Sequence, residues 1–262
     1  MRKDFTAADA SRSEEDFVSG YWDAKWVASD PGEPERVRAR EEYRFVHALL
    51  PALEKGGLDV LDCGCGRGEW TRLFLSQGHR ALGLDIAPQA VARLRERHGD
   101  AFRVADFRAT GLPDASFDLI INWGGIEHFE EGPASALIEA HRLLRAGGLV
   151  VVSTPCDNAR IRAVDRWNGT RPDAPAPPGQ RFYQYRFTPD ELTAHLMRAG
   201  FPRVTTRMIG GEQGITRAFQ HELAPVARLL PAGLARGLAR GLGAALRPLV
   251  GHMIIAGARR AV

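Results

Sequence analysis

Three glycines alternate with other residues directly after a short, largely apolar run of the chain. The run ends at Asp62, and Gly64, Gly66 and Gly68 follow it. Glycine allows backbone conformations that other residues avoid, and it lets a ligand approach the main chain closely. A helical pattern begins immediately after the last of the three. A strand, a glycine turn and a helix start in succession are typical of a site for a polar or anionic ligand.

The spacing of these glycines departs from the dinucleotide-binding fingerprint G-x-G-x-x-G. Counted from Gly64, the third glycine of that fingerprint would stand where this chain has Glu69. The string D-x-G-x-G-x-G from Asp62 to Gly68 instead resembles the first motif of class I S-adenosylmethionine-dependent methyltransferases. The resemblance implies that the glycines, Gly66 among them, surround the methionine part of this cofactor. It also implies that Asp62 holds the amino group, directly or through water.

Two further acids end the next two predicted strands. Asp85 follows the glycine loop by roughly 20 residues, the separation that brings an acid onto a ribose. The resemblance implies that Asp85 holds the ribose and that Ile86 next to it also contacts the cofactor. It further implies that Asp106 accepts from the adenine amine and that Phe107 flanks the ring. Asp85 could instead form a turn before Pro88, and Phe107 could be a core residue. The three acids together favour the cofactor site.

A fourth predicted strand delivers Asn122 and Trp123 to the same sheet edge, followed by Glu127 and His128. In the resembled family this segment flanks the transferred methyl group. Enzymes that methylate amino groups of nucleic-acid bases or of glutamine often carry N-P-P-Y here, and this chain lacks those prolines. The Glu-His pair is similar to that of small-molecule methyltransferases of the quinone-biosynthesis and natural-product type.

Methyl transfer from a sulfonium asks for an aligned nucleophile, the exclusion of water and, where needed, removal of a proton. His128 is the candidate base for a hydroxyl acceptor, because an imidazole titrates near neutral pH. The alternative is that His128 only packs or caps the loop. Glu127 could orient His128, bind a cation or be solvated.

Aromatic residues outside these motifs are candidates for substrate contact. Trp22 and Trp26 precede the glycine loop in a Y-W-D-x-x-W pattern, which looks like the N-terminal helix that covers the cofactor in many relatives. Core packing explains them equally well. The segment 155–187 cannot be regular helix or a central strand around 171–179 and is interpreted as a mobile lid over the substrate, with Tyr183 and Tyr185 as candidate substrate contacts. A plain surface excursion is the alternative.

Strand and helix patterns alternate along most of the chain. The predicted strands are 58–63, 80–85, 102–106, 117–122, 149–154, 203–208 and 252–258. The predicted helices are 33–53, 69–77, 88–97, 133–145 and 189–199. This alternation predicts an α/β fold with helices on both faces of a parallel sheet. The resemblance implies a doubly wound, Rossmann-like, seven-stranded sheet that is mostly parallel and has an antiparallel last strand.

The chain divides by pattern into two regions. Residues 1–55 are predicted to form an N-terminal cap with a poorly ordered start, and residues 56–262 the methyltransferase domain. Between its last two strands the domain carries a helical insertion, 213–250. One helical face of this insertion carries Leu234, Leu238, Leu242, Leu246 and Leu249. Glycines at 233, 237 and 241 are expected to permit close helix approach. The insertion could pack on the domain or form part of the substrate pocket, form a dimer interface, or lie on an anionic membrane surface through 225–250.

Composition limits the partners. The net charge is +3, and seven arginines stand against two glutamates from Glu212 onward. A local excess of this size, with arginine as nearly the only basic residue, does not indicate nucleic-acid binding. Cys63 and Cys65 indicate neither a disulfide framework nor a metal site. No apolar run is long enough to cross a bilayer, and no secretory segment is recognised, so a cytoplasmic setting is expected.

These observations predict an S-adenosylmethionine-dependent methyltransferase with a small-molecule acceptor, methylated at a hydroxyl oxygen. Two alternatives stay open: a membrane-associated lipid or quinone methyltransferase, and a cofactor-binding partner protein without turnover. The oligomeric state and the acceptor's identity are not predicted.

Overall fold

The computed structural model describes residues 1–7, 14–28, 32–172 and 174–262. The strands are β1 (Arg2–Ala7), β2 (Asp59–Cys63), β3 (Arg80–Asp85), β4 (Phe102–Val104), β5 (Phe117–Trp123), β6 (Leu144–Pro155), β7 (Gln180–Arg186), β8 (Val204–Ile209) and β9 (Met253–Arg259). The helices are α1 (Glu14–Val27), α2 (Glu41–Leu49), α3 (Glu69–Ser76), α4 (Pro88–His98), α5 (Ala134–Leu143), α6 (Ala159–Asn168), α7 (Pro189–Arg198), α8 (Gly211–Gln220), α9 (Ala224–Ala227), α10 (Ala232–Ala245) and α11 (Arg247–Val250).

Seven strands form the central sheet in the spatial order β4-β3-β2-β5-β6-β9-β8. The pairs among β2 to β6 are parallel, whereas β9 runs antiparallel to both β6 and β8. The predicted fold class, including the antiparallel last strand, is therefore confirmed. In this order β3 and β4 follow β2 toward one edge of the sheet, and β5 and β6 lie on the other side of β2. The direction of chain progression therefore reverses between β2 and β5, and their carboxyl ends border the crevice in which open α/β sheets bind ligands.

Both faces of the sheet are covered. Along β5, Ile120 packs into a core with α5 and α7, whereas Leu119 and Ile121 pack into a second core with α2 and α3. All three side chains are completely buried. Residues of a strand alternate between faces, and a strand covered on both sides needs apolar residues at every position. This explains the continuous apolar run that marks β5 in the sequence.

The N-terminal region differs from its prediction in two respects. Residues 2–7 are a strand, β1, that pairs antiparallel with β7, so they do not form a disordered start. The helix expected over 33–53 is divided into the 3₁₀ helix 34–39, α2 and the 3₁₀ helix 51–55. Pro51 at the start of the second 3₁₀ turn favours the break after α2, because proline cannot donate a backbone hydrogen bond to the preceding turn. The first break is at Arg40, whose backbone is extended. Residues 8–13 of the expected disordered segment lie outside the described residues.

The segment 155–187, interpreted from the sequence as one covering loop, contains regular structure at both ends. Asn158 caps α6 by accepting a hydrogen bond from the backbone N–H of Ile161 at 2.9 Å. The last residues of the segment form β7, which pairs with β1 in a two-stranded antiparallel sheet. The Pro-rich stretch lies between these two elements.

The insertion 213–250 is helical, but its packing differs from the expectation. Helix α10 packs on α8 through Ala239 and the buried Gly243, and an added Cβ on Gly211 of α8 would collide with the Gly243 carbonyl oxygen. The glycines at 233, 237 and 241, expected to permit close approach, face open space. The leucines of the predicted face remain between 37% and 51% exposed. Within the described residues, no helix has the length and apolarity to cross a membrane.

Candidate active site

The glycine loop joins the end of β2 to the start of α3 and is tied to the neighbouring strand. Gly64, Gly66 and Gly68 all have positive φ, at 74°, 52° and 68°, which explains why glycine is needed at each. The backbone N–H groups of Gly64 and Cys65 donate to the Leu84 carbonyl oxygen at 2.7 and 2.8 Å. Hydrogen bonds to the end of β3 therefore help to fix the conformation of the loop.

Asp62 lies beneath this loop and is buried. Its Oδ2 accepts hydrogen bonds from the Thr71 backbone N–H at 3.2 Å and hydroxyl at 2.8 Å. Its Oδ1 is buried and has no hydrogen-bond partner among the described residues. Burial raises the pKa of Asp62 to about 7, against the lowering effect of Thr71. A buried carboxylate oxygen without a partner is costly, and it fits an absent cationic group such as the cofactor's ammonium.

A cavity of about 200 Å³ opens at the carboxyl edge of the central strands. Seven of the residues predicted to bind the cofactor line it: Gly64, Asp85, Ile86, Asp106, Phe107, Asn122 and Trp123. Asp62, Gly66 and Gly68 do not. The Trp26 ring covers Gly66, with ring carbons 3.1 Å from the position of an added Cβ, and Gly68 faces Phe102 in the core. The structure therefore gives Gly68 a packing role.

Asp85 holds the glycine loop and the start of α4 together. Its Oδ2 accepts from the Gly66 backbone N–H at 2.8 Å, and its Oδ1 accepts from that of Ala87 at 3.0 Å. Burial raises the pKa of Asp85 despite these bonds. The carboxylate lines the cavity where the ribose was expected, and it also organises the backbone that surrounds it.

Asp106 has a partner that sequence reasoning missed. The Arg108 guanidinium donates to both Asp106 oxygens, with Nη2 2.6 Å from Oδ2, and also reaches Glu131 at 2.6 Å. Burial opposes it, but the hydrogen bonds from Arg108 lower the pKa of Asp106. The Arg108 guanidinium also lies 4.8 Å from the centre of the Phe129 ring. An adenine amine that donates to Asp106 would have to share the carboxylate with Arg108. The role of Asp106 in binding adenine stays a prediction.

Asn122 positions the loop that carries the candidate catalytic pair. Its Nδ2 donates to the Cys63 carbonyl oxygen at 2.7 Å, at the end of β2. Its Oδ1 accepts from the backbone N–H groups of Gly125 and Ile126 at 3.2 and 3.1 Å. One buried amide thus links the glycine loop to the turn that presents Glu127 and His128.

His128 lines the cavity of about 200 Å³, called here the cofactor-side cavity, and contacts aromatic residues from α1 and β7. Its Nδ1 is 2.7 Å from the Tyr183 carbonyl oxygen, and its ring lies 4.9 Å from the Trp22 and Tyr183 rings, edge to face. A carbonyl oxygen can only accept, so Nδ1 carries the proton and Nε2 carries the lone pair. Burial lowers the pKa of His128 to about 4. The imidazole is neutral, with one nitrogen able to accept a proton.

Glu127 is buried, so the alternative that it is solvated is wrong. Its exposed fraction is 2%, and its Oε2 has no hydrogen-bond partner among the described residues. Burial raises the pKa of Glu127 to about 8, which keeps the carboxyl protonated at neutral pH. A protonated carboxyl can donate a hydrogen bond to an acceptor molecule, which an ionised one cannot.

A second cavity, of about 770 Å³, adjoins the first. Five residues line both: Trp22, Trp26, Trp123, Gly124 and His128. Residues within 170–171 and 174–184 contribute one wall, including the predicted substrate residue Tyr183. This placement supports the interpretation of 155–187 as a cover, although its mobility stays a prediction. The other predicted substrate residue, Tyr185, lines neither cavity. Its ring is buried, and its hydroxyl donates to the Glu130 carbonyl oxygen at 2.7 Å.

The second cavity also contains residues that sequence reasoning missed. They come from β1, β7, α8 and the start of β9: Arg2, Lys3, Asp4, Arg186, Arg217 and His252. No motif marks them. Only the clustering of Arg2 and Lys3 in a chain so poor in lysine was visible beforehand.

Comparisons with known proteins agree with this geometry. A family described as "Methyltransferase domain" matches residues 35–206, so the chain belongs to the methyltransferase-domain family. This match confirms the family predicted from the glycine motif.

Similar curated proteins carry more specific names. A chain of Mycolicibacterium smegmatis named as an S-adenosylmethionine-dependent methyltransferase is 36% identical over 55% of this chain and 52% of its own length. A ubiquinone biosynthesis O-methyltransferase of Cereibacter sphaeroides is 32% identical over 63% of this chain and 68% of its own length. The chain spans about half the length of the first of these relatives.

Solved structures share the fold over nearly the whole chain. An S-adenosylmethionine-dependent methyltransferase from Archaeoglobus fulgidus superposes with a TM-score of 0.58 at 20% identity, covering 92% of this chain and 99% of the other. A Burkholderia thailandensis 1,6-didemethyltoxoflavin-N1-methyltransferase with bound S-adenosylhomocysteine superposes with a TM-score of 0.56 at 24% identity, covering 98% and 95%. At these identities the likeness concerns the fold.

Proposed function

We propose that this chain transfers a methyl group from S-adenosylmethionine to a hydroxyl oxygen of a small-molecule acceptor. The observation that carries the proposal is the position of His128, whose imidazole lines both cavities and whose Nδ1 proton is held by the Tyr183 carbonyl oxygen. The O-methyltransferase among the named relatives supports oxygen as the methylated atom.

The described residues provide suitable groups for the proposed cofactor. Among the cavity-lining residues, Asp85 would accept from the ribose hydroxyls and Phe107 would flank the adenine. Asp62, buried beneath the glycine loop, would accept from the ammonium through its unpartnered Oδ1, directly or through water. When bound, the cofactor supplies an electrophilic methyl carbon and a neutral leaving group. The protein then has to align the acceptor, exclude water and hold the acceptor's proton.

The residues between the two cavities match those tasks. His128 Nε2 would take the proton of the acceptor hydroxyl while Tyr183 keeps the ring oriented. Glu127, protonated, would donate to a polar group of the acceptor. Trp26 covers Gly66 of the glycine loop, and Trp22 stacks on Trp26 with ring centres 5.4 Å apart. The two rings would exclude water from the transfer.

Incubation with methyl-labelled S-adenosylmethionine and a fractionated cell extract tests this function. We expect the label in a small-molecule fraction, with the product a methyl ether by mass spectrometry and NMR; a methyl ester would place the methyl group on a carboxyl oxygen instead. Label on nitrogen or carbon would contradict the hydroxyl assignment. Cofactor binding by calorimetry without any transfer would instead support the alternative of a partner protein without turnover.

A second candidate, a membrane-associated lipid or quinone methyltransferase, is favoured by one specific observation. The leucines of α10 are 37–51% exposed beside a chain segment with seven arginines against two glutamates. Exposed leucines next to a cationic region suit an anionic lipid surface. We therefore propose such a surface as the occupant of this face.

Vesicle co-sedimentation tests the second candidate. Wild-type protein should pellet with vesicles of phosphatidylcholine containing about one third phosphatidylglycerol, and less with phosphatidylcholine alone. The triple variant Leu238→Ser, Leu242→Ser, Leu246→Ser should stay in the supernatant. Equal pelleting of the variant, or a wild-type dimer that the variant converts to a monomer in sedimentation velocity, would overturn this membrane assignment.

A further inference from the structure

The wall of the second cavity carries an excess of positive charge. Its basic lining residues are Arg2, Lys3, Lys25, Arg171, Arg186 and Arg217. Its acidic lining residues are Asp4 and Glu127, and Glu127 is held protonated by burial, with a pKa of about 8. Asp4 is therefore the one ionised acid on this wall within the described residues. A cavity of this size and sign attracts anionic solutes.

Among the described residues, acidic residues pair with two of the arginines in the wall but not with Arg217. Arg186 Nε lies 2.8 Å from Asp4 Oδ2, and Arg2 pairs with Asp165. Arg217, on α8, differs from both: its guanidinium forms no hydrogen bond or ion pair within the part of the chain that the structure describes. Burial, then the charges of Arg186 and Arg160, lower the pKa of Arg217. An anion beside this group would relieve that repulsion.

His252 stands against the same group of arginines. Burial, followed by the charges of Arg217, Arg186 and Arg160, lowers the pKa of His252 to about 4. Its imidazole is therefore neutral at physiological pH and can donate one N–H without adding charge. The other nearby cation, Arg160, is already neutralised by Glu222 at 2.6 Å. Within the described residues, Arg217 and Lys3 are therefore cations of this wall without an ion pair; Lys3 lies over the Phe182 and Tyr185 rings, at 6.0 and 5.9 Å from their centres, whereas the Arg217 guanidinium has no such contact.

The same cavity contains buried donors that also lack partners. The indole Nε1 of Trp123 and the Oε2 of Glu127 have no hydrogen-bond partner among the described residues. Both residues line the second cavity together with His128. The cavity therefore offers neutral donors beside the candidate base and an unpaired guanidinium elsewhere on its wall, which suits an acceptor that is polar at one end and anionic at the other.

We propose that the methyl acceptor carries an anionic oxygen group, a carboxylate or a phosphate ester, which is bound by the guanidinium of Arg217 with Arg186 and His252 beside it. Guanidinium groups bind carboxylate and phosphate through paired, charge-assisted hydrogen bonds. This inference rests on the proposed function and specifies its substrate class. It also gives the insertion that begins with α8 a role in acceptor recognition.

Calorimetry on the full chain saturated with S-adenosylhomocysteine tests the inference. The probes are benzoate and phenyl phosphate, each compared with its neutral counterpart, benzamide and phenol; an aromatic ring suits the tryptophans of the cavity. We expect at least one anion to bind about tenfold or more tightly than its counterpart. Which anion is preferred distinguishes a carboxylate acceptor from a phosphate ester. Equal affinities, or binding by neither anion, would overturn the proposal.

Variants assign the preference to Arg217. Arg217→Ala should lose the preference, Arg217→Lys should retain part of it, and Arg236→Ala, on the exposed side of α10, should retain all of it. An unchanged preference in Arg217→Ala would overturn the assignment. A separate titration of S-adenosylhomocysteine into the ligand-free protein measures its affinity. Loss of that affinity in wild-type protein would contradict the proposed function itself, whereas retained affinity without anion preference would contradict only this inference.

Discussion

The Nδ1 of His128 lies 2.7 Å from the carbonyl oxygen of Tyr183, across 55 residues of sequence. This contact connects the turn after β5 to β7, and so joins a residue that lines both cavities to a wall of the second. Because the carbonyl must accept, the contact also decides which imidazole nitrogen is basic. A structural role and a catalytic role, weighed as alternatives for His128, are therefore compatible. Nδ1 donates to the Tyr183 carbonyl oxygen, and Nε2 is left to accept a proton.

The first prediction concerns this imidazole. His128→Asn keeps a donor near Nδ1 and removes Nε2, so methyl transfer should fall by about 10²–10⁴-fold while cofactor affinity stays within about twofold. Since the pKa of His128 is about 4, the acid limb that it imposes on the wild-type rate should lie near pH 4 rather than near 6.5. Rates with labelled cofactor from pH 4 to 8 measure both effects.

The matched control for this variant is His98→Asn, at the exposed end of α4, which should leave the rate unchanged. Full activity in His128→Asn would remove His128 as the base. An acid limb near pH 6.5 that persists in the variant would belong to another group.

The second prediction concerns Asp62. Its pKa of about 7 means that much of the free protein carries a protonated carboxyl, which must ionise to hold an ammonium. Affinity for S-adenosylhomocysteine should therefore rise about tenfold from pH 5.5 to 7, a range in which an α-amino group stays protonated. Calorimetric titration at the two pH values measures the rise.

Asp62→Asn should bind more weakly and lose this pH dependence, whereas Asp100→Asn, in an exposed 3₁₀ turn, should behave as wild type. The same pH dependence in wild type and Asp62→Asn would show that the ammonium does not depend on Asp62.

The third prediction concerns stability and Glu127. Its folded pKa is about 8, above the ordinary value of 4.5, so the folded chain holds a proton that the unfolded chain releases. Folding stability from this group is therefore complete below about pH 4.5 and is lost as pH rises toward 8, at up to about 1.4 kcal/mol per pH unit. Urea unfolding of the cofactor-free protein at pH 5.5 and 7.5 should show wild type losing stability relative to Glu127→Gln.

An exposed control, Glu96→Gln on α4, should follow the wild-type pH dependence. If wild type and Glu127→Gln lose stability in parallel, the Glu127 carboxyl is ionised in the folded protein and its assignment as a neutral donor fails.

The sequence predicted well the features that depend on residues close together in the chain. Gly64, Asp85 and Asn122 each lie within one strand-turn unit, so their spacing alone placed them at the same sheet edge, and the structure puts all three on the cofactor-side cavity. Gly66 and Gly68 were correctly placed in the turn. Their contacts with Trp26 and Phe102 were not predictable, because they depend on how separate elements pack.

The second cavity could not be predicted in the same way. Its walls join residues far apart in the chain, as the hydrogen bond between Gln184 and Asp4 shows across 180 positions. A short polar strand such as β1 has no apolar alternation, and it becomes a strand only because β7 offers an edge. The pairing of Asp4 with Arg186, which leaves Arg217 unpaired, follows from that edge and from nothing visible in the local sequence.

The fourth prediction concerns the contact between α10 and α8. An added Cβ on Gly243 would lie 2.5 Å from the Glu212 backbone nitrogen, whereas one on Gly237 would meet nothing within 4 Å. Gly243→Ala should therefore destabilise the protein by about 1–3 kcal/mol through overpacking, although alanine is the better helix former. Gly237→Ala should stabilise it by up to about 1 kcal/mol, because only the helix propensity changes. Urea unfolding of both variants measures the difference, and equal effects would mean that the two helices do not pack through Gly243.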